Sequence, residues 1–336
     1  TVCRSFTVNV NPLPNGNISG TTTVCTGSAT PITFNLTTGT GPFNIIYTDG
    51  TNVYTRNGVN NGDTAMVAPA STATYQLTQI TDANGCVRTS GFLGGATVTV
   101  APLPAINSTS STAVLCFGGS TGTITVNATS GTPGYTYSND GGLTYQPSNL
   151  FSGLAAGPYT ISIRDAQGCV SVSTVVTVTQ PTLLDHATTT VDASCANVFD
   201  GSITVSATGG VTPYTYSLNG GPSQPGNVFS GLAGATYVVQ VNDVNGCADT
   251  SHVVINISYG VTGSIVSQTN VSCFGGTDGA VTVQLAGGIP PYSYSINGIT
   301  FLPTSTFTGL SAGSYTVIAR DVKGCNDAIA VSVSQP

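Results

Sequence analysis

Glutamate and tryptophan are absent from this chain, lysine occurs once (Lys323), methionine once and histidine twice. Each scarcity excludes something. Six Lys+Arg against thirteen Asp+Glu, for a net charge of −7, leave no basic stripe to follow a phosphate backbone, so nucleic acid is not a partner. No apolar run approaches the roughly 18 residues of a membrane-spanning helix, so this stretch holds no span. The two histidines, His186 and His252, occupy non-equivalent positions and read as surface or linker residues. A Ser/His/Asp or Cys/His relay would need one of them in a motif, and neither is in one. The cysteines form no CxxC or HxxxH pairs, which speaks against zinc. Only 6% of residues are charged, so Thr, Ser, Asn and Gly make the surface. With 40% hydrophobic residues in clean alternation the chain is nonetheless not disordered.

What the chain does have is nine cysteines in phase with a repeat. Cys116, Cys195 and Cys273 each open a block, and Cys169, Cys247 and Cys325 each close one, about 78 residues apart. Inside each block the landmarks keep their order. A Gly lies six residues after the opening cysteine (Gly122, Gly201, Gly279). A tyrosine pair follows (Tyr135/Tyr137, Tyr214/Tyr216, Tyr292/Tyr294), then a Phe-x-Gly-Leu step, a lone tyrosine and a closing Asp-x-x-Gly-Cys. A period this long means tandem small domains rather than a solenoid. Domains of this size bury a modest core and commonly need a covalent staple. Cysteines in phase with such domains read as disulfides and an oxidising, extracellular setting.

Ile124-x-Val126-x-Ala128, Ile203-x-Val205-x-Ala207 and Val281-x-Val283-x-Leu285 alternate with the period of a strand. Tyr159-x-Ile161-x-Ile163 and its two counterparts do the same, and a third apolar run follows each closing cysteine. Helical stripes are missing, and Gly or Pro recurs at short intervals. The expected fold is all-β, a tandem array of four small immunoglobulin-like β-sandwich domains. The lone tyrosines Tyr159, Tyr237 and Tyr315, with Tyr75 in the first unit, fit the tyrosine corner of such sandwiches. Asp82, Asp165, Asp243 and Asp321 fit hairpin turns in which the carboxylate caps its own backbone. Calcium is the competing reading of these aspartates, but it needs six to eight oxygens from converging carboxylates, often with a Glu. No cofactor is therefore expected.

The first unit, residues 15–104, is divergent: Cys25 and Cys86 stand 61 apart, and Gly41-Pro42-Phe43 replaces the tyrosine pair. Cys3 followed by Val8-x-Val10-x-Pro12-Leu13-Pro14 mirrors Cys86 followed by Val98-x-Val100-x-Pro102-Leu103-Pro104. Residues 1–14 thus read as the last strand of a preceding domain, and the chain as an internal stretch of something longer.

The series Cys-Phe-Gly-Gly…Gly-x-Ile-Thr-Val…Pro-Tyr-x-Tyr-Ser…Gly-Leu-x-Ala-Gly-x-Tyr-Thr-Val…Asp-x-x-Gly-Cys…Gln-Pro resembles the SprB repeat of Bacteroidota surface proteins. It occurs three times, in 105–182, 183–260 and 261–336, although Cys195-Ala196-Asn197-Val198 departs from the Cys-Phe-Gly-Gly opening. Residues 15–104 resemble the PKD-like or immunoglobulin-like domain of the same large proteins. The resemblance implies type IX secretion and a place at the cell surface on very large adhesins, those of gliding motility among them. It implies a non-catalytic stalk segment whose partners are neighbouring domains of the same chain, surface polysaccharide, or lateral copies in a filament. A repeated carbohydrate-binding module is the alternative, although the tyrosines sit at strand positions that suit a core. Asp63-Thr64-Ala65 matches a short O-glycosylation motif of Bacteroidota, with Thr64 as acceptor. The Asn-x-Ser/Thr sequons are as many as composition gives by chance.

Two disulfide registers are open. Bonds inside each unit would be Cys25–Cys86, Cys116–Cys169, Cys195–Cys247 and Cys273–Cys325, with Cys3 paired elsewhere. Bonds between neighbours would be Cys3–Cys25, Cys86–Cys116, Cys169–Cys195 and Cys247–Cys273. An odd count fits both. Bonds inside each unit are expected, because they stabilise every copy of an expandable array independently.

Overall fold

The computed structural model describes residues 10–195, 198–257 and 260–336. Cys3, most of the strand expected at 1–14, the departure at Ala196-Asn197 and the linker pair Ser258-Tyr259 lie outside the described residues. Among the described residues every regular element is a strand. Contacts divide the chain into two compact units, Thr1–Val114 with Ser120–Thr179, and Leu115–Gly119 with Gln180–Pro336.

The first unit begins with nine strands: β1 (Asn15–Ser19), β2 (Thr22–Cys25), β3 (Thr30–Thr38), β4 (Phe43–Thr48), β5 (Val53–Val59), β6 (Thr64–Val67), β7 (Ala73–Thr81), β8 (Val87–Arg88) and β9 (Ala96–Ala101). They form a sheet of order β1-β3-β6 and a second of order β2-β9-β7-β4-β5, with β8 on β7. β2 runs parallel to β9, bringing Cys25 level with Ala101. Ile18, Ile32, Phe34, Ile45, Ile80 and Val98 fill the space between the sheets.

The same unit continues with a simpler design: β10 (Ala105–Thr112), β11 (Gly122–Thr129), β12 (Thr136–Ser138), β13 (Leu150–Leu154), β14 (Gly157–Arg164) and β15 (Thr174–Val178). Two antiparallel sheets, β10-β11-β13 and β12-β14-β15, enclose Ile124, Val126, Ile161 and Ile163, all 0% exposed. The alternation forces this outcome. At period two every second side chain faces the partner sheet, and burying each aliphatic one contributes about 1.5–3 kcal/mol.

The second unit repeats the six-strand design twice. Its first copy comprises β16 (Asp185–Val191), β17 (Gly201–Thr208), β18 (Thr215–Leu218), β19 (Val228–Leu232), β20 (Ala235–Asn242) and β21 (Ala248–Ile255). The second comprises β22 (Val261–Thr269), β23 (Gly279–Gly287), β24 (Ser293–Ser295), β25 (Thr306–Leu310), β26 (Gly313–Arg320) and β27 (Asn326–Val333). Their sheet orders match those of the first six-strand copy. The glycine six residues after each opening cysteine now has a cause. A Cβ on Gly279 would lie 2.7 Å from the Leu310 carbonyl oxygen, and one on Gly122 2.5 Å from Val178. Two strands close on the sandwich there with no room for a side chain.

Candidate functional site

Each sandwich has two ends, and the cysteines occupy opposite ones. The closing cysteine ends a turn built on its aspartate. Asp165 Oδ1 accepts from the backbone N–H groups of Gln167 (3.0 Å) and Cys169 (2.9 Å), and Oδ2 from that of Thr132 (2.9 Å). Asp243 receives Asn245, Cys247 and Val211 in the same way, and Asp321 receives Lys323, Cys325 and Ile289. Asp82 takes Asn84, Cys86 and, at 3.2 Å, Thr40. Burial opposes ionisation of Asp82, but the backbone donors of Cys86, Thr40 and Asn84 outweigh it and hold the carboxyl below its ordinary value. All four carboxylates are buried. Each ties its turn to the loop preceding the strand that carries the tyrosine pair, or to Thr40 in the first domain. That loop lies against the linker entering the domain: Gly131 sits on Pro104, and the N–H of Gly210 donates to the Thr182 carbonyl. The closing cysteine is therefore at the entry end.

The opening cysteine is at the exit end. Gly118 N–H donates to the Gln180 side chain (2.8 Å) and Gly275 N–H to that of Gln335 (2.9 Å), both at the end of the last strand. Cys25 lies level with Ala101, at the end of β9. Two of the opening loops carry a latch. Asp200 accepts from Ser194 N–H and Oγ, and Asp278 from Ser272 N–H (3.1 Å) and Oγ (2.6 Å). Those serine side-chain and backbone hydrogen bonds hold both carboxyls below their ordinary value. Among the described residues no group of three or more His, Cys, Asp or Glu stands together as a metal site would need.

The disulfides follow from this placement; they correct the register expected inside each unit and differ from the alternative between neighbours as well. The bonds are Cys25–Cys169, Cys116–Cys247 and Cys195–Cys325, with Cα separations of 5.5, 5.7 and 5.7 Å. Cys86 and Cys273 are free. Cys25–Cys86, Cys116–Cys169, Cys195–Cys247 and Cys273–Cys325 do not form. The reason is length. The eight residues of β14 run from exit to entry end, roughly 26 Å at 3.3 Å per residue, whereas bridged Cα atoms lie about 4.4–6.8 Å apart. The neighbour register fails because Cys25, Cys116, Cys169, Cys195 and Cys247 are each bonded to another partner. What remains is the exit end of one domain bonded to the entry end of the next. Each bond closes a loop of 130 to 144 residues. On a chain-entropy account one such loop stabilises by about 5 kcal/mol. Cys116 obeys the same rule inside the second unit, to which its loop Leu115–Gly119 belongs, and Asn245 beside Cys247 donates to the Leu115 carbonyl (3.0 Å).

The tyrosines act locally. The hydroxyls of Tyr159, Tyr237 and Tyr315 donate to the carbonyls of Ala155, Ala233 and Ser311, four residues back, at 3.0–3.1 Å. Tyr75 makes no such bond: its ring is buried in the first core against Tyr47 and Tyr54. A second set, Tyr135, Tyr214 and Tyr292, donates to the carbonyls of Ser130, Gly209 and Gly287, five residues back. The constant spacing to the preceding turn was the available signal for that set. Thr64 opens β6 and is exposed.

His186 is not a surface residue. Its side chain is 1% exposed, with Nδ1 2.7 Å from Asp249 Oδ2 and Nε2 2.7 Å from Ser251 Oγ. This is the order of a nucleophilic relay, but the register explains it as packing. His186 pairs with Ala207, Ile106 with Ala128, and Gly263 with Leu285, all equivalent positions. In the first repeat Ile106 itself fills the layer. In the third, Ile329 packs onto Gly263 while Asp327 takes the Gly263 N–H at 2.8 Å. In the second, the imidazole fills it and its nitrogens need Asp249 and Ser251.

Fold and junctions together define a class: a tandem array of immunoglobulin-like β-sandwiches bonded domain to domain. The family model of the SprB repeat matches the chain at residues 108–144, 187–223 and 265–301. No curated protein matches the chain. Among solved structures it is similar to the N-terminal eight immunoglobulin domains of Down Syndrome Cell Adhesion Molecule, at 13% identity over 96% of this chain and 49% of that one, with a TM-score of 0.34. The chain thus spans about half the length of that structure. Sidekick-1 immunoglobulin domains 1–5 align at 10% identity, 95% and 81% coverage and TM-score 0.28. Three N-terminal domains of the outer capsid protein Hoc of bacteriophage RB49 align at 12%, 70% and 99%, with 0.30. Among the described residues no helix is long and apolar enough to cross a membrane. Cystines in a chain matched by this repeat fit an extracellular structural protein.

Proposed function

We propose that the chain is a non-catalytic, load-bearing stalk segment of a large secreted cell-surface adhesin, made of the domains 15–104, 105–182, 183–260 and 261–336. The observation that carries this reading is the cystine register, in which an exit end is bonded to the next entry end. Bonds within domains would harden each module and leave the joints weak. Bonds between domains harden the joints, which is what transmission of tension along a stalk requires. Secretion by the type IX route and a role in surface attachment or gliding follow from the SprB resemblance as parts of the same proposal. So does the absence of a cofactor.

The tyrosines speak against repeated carbohydrate modules. Carbohydrate platforms present exposed aromatic faces, whereas six of the recurrent tyrosine hydroxyls bond backbone in their own turns. The test is binding of the 336-residue chain to a polysaccharide array, beside adhesion of cells whose protein lacks this segment. Shortened or weakened attachment without glycan binding by the segment supports the stalk. Saturable glycan binding that is lost on changing exposed repeat residues overturns it.

A further inference from the structure

Cys86 and Cys273 are free, yet everything around each reproduces the setting of a bonded cysteine. Cys86 closes an Asp82 turn with the same set of backbone hydrogen bonds that positions Cys169, Cys247 and Cys325, and all three of those are bonded. It lies at the entry end of the first sandwich, beside Thr40, whose carbonyl receives the Ala83 N–H. Cys273 sits between the Ser272–Asp278 latch and the Gly275–Gln335 hydrogen bond. The latch is the one beside bonded Cys195, and the glutamine bond is the one beside bonded Cys116. It lies at the exit end of the last sandwich.

Two further differences separate filled from unfilled junctions. Phe117, next to bonded Cys116, is 51% exposed, whereas Phe274, its equivalent next to Cys273, is 82% exposed. A large apolar ring at a sandwich end is what a neighbouring domain covers. At the filled junction Asn245 donates across to the Leu115 carbonyl, while its equivalent Asn84 turns back to its own Thr40 hydroxyl (2.9 Å). An exit-end ring and an entry-end amide are each in the state of a missing partner.

We propose that Cys86 and Cys273 are disulfide sites for two further domains of this same design. Cys86 takes the opening cysteine of a domain on its N-terminal side. Cys273 takes the closing Asp-x-x-Gly-Cys cysteine of a domain on its C-terminal side. Each bond forms as two thiols lose two protons and two electrons to a disulfide-bearing thiol oxidase of the extracytoplasmic space, which is reduced to its dithiol. The ladder thus has no terminal bond within residues 10–336. The inference goes beyond the stalk reading and does not need it, because the register would propagate through any array of these domains.

The test is non-reducing proteolysis and cross-linked peptide mass spectrometry of the full chain isolated from its own cells, after blocking of free thiols. The expected result is a Cys86 peptide joined to one bearing an opening-type cysteine, and a Cys273 peptide joined to one ending in Asp-x-x-Gly-Cys. A Cys273→Ser variant, which removes no bond seen in the structure, should then expose one alkylatable closing-type cysteine elsewhere in the chain. Blocked, unbonded Cys86 or Cys273, a Cys86–Cys273 link, or links to Cys25 and Cys325 would overturn the proposal. Failure here with Cys25–Cys169 and Cys195–Cys325 intact would leave the stalk reading standing.

Discussion

Three interlaced bonds shorten the path along which tension can travel, and that can be measured by pulling the chain from Thr1 and Pro336. The shortest covalent route enters at Thr1, crosses from Cys25 to Cys169, follows the chain to Cys195, crosses to Cys325 and leaves at Pro336. It uses about 60 residue steps, so at roughly 3.5 Å per step the oxidised chain cannot extend beyond roughly 210 Å whatever unfolds. With all bonds reduced about 335 steps become available, or roughly 1,170 Å. The Cys116–Cys247 bond is not on the shortest route, and this provides the discriminating comparison. A Cys116→Ala/Cys247→Ala double variant keeps the limit near 210 Å. A Cys25→Ala/Cys169→Ala variant forces the route through Cys116–Cys247 and raises the limit to about 180 steps, roughly 620 Å. The assay is single-molecule force extension with and without a phosphine reductant. An oxidised chain releasing more than about 250 Å, or equal limits for the two double variants, would refute the register and the tension route built on it.

Further expectations concern single side chains. Asp321→Ala leaves the backbone donors of Cys325, Lys323 and Ile289 without their acceptor and should cost roughly 3 kcal/mol in urea unfolding; a loss under about 1 kcal/mol would mean that water replaces the carboxylate. Gly279→Ala drives a methyl against the Leu310 carbonyl and should destabilise by about 2 kcal/mol or more, whereas Gly226→Ala, exposed and outside the left-handed region, should cost less by the same measurement. Asp278 is held below its ordinary carboxyl value, so its contribution is present above about pH 4, where the unfolded group is ionised, and disappears as pH falls through the folded value. The difference in melting temperature between the parent chain and Asp278→Asn should accordingly be constant from pH 7 to pH 5 and shrink toward pH 3. A difference that grows in acid would contradict the latch. His186→Ala empties a buried layer and should cost about 2 kcal/mol, while His186→Ile, which copies Ile106 of the first repeat, should cost less than half of that. Equal losses in chemical denaturation would argue for a role beyond packing.

The sequence alone determined everything that repeats at short range. Period-two alternation at Ile124, Val126, Ile161 and Ile163 dictates which faces are buried, because a strand's side chains can only alternate. The spacing inside Asp-x-x-Gly-Cys dictates the capped turn, because the aspartate reaches donors two and four residues ahead. The partner loop at Thr132, Val211 and Ile289 lies more than thirty residues away, and no local pattern points to it. The buried His186 was hidden for a related reason. Which strand lies opposite it depends on sandwich packing, and Asp249 and Ser251 are over sixty residues distant. The cystine register was the decision of tertiary structure most completely. Counting cysteines cannot tell which end of a sandwich a loop occupies, and a strand of eight residues puts the two cysteines of one domain several bond reaches apart. Once strand direction places one at the entry and the other at the exit, the bonds can form only with the neighbouring domains.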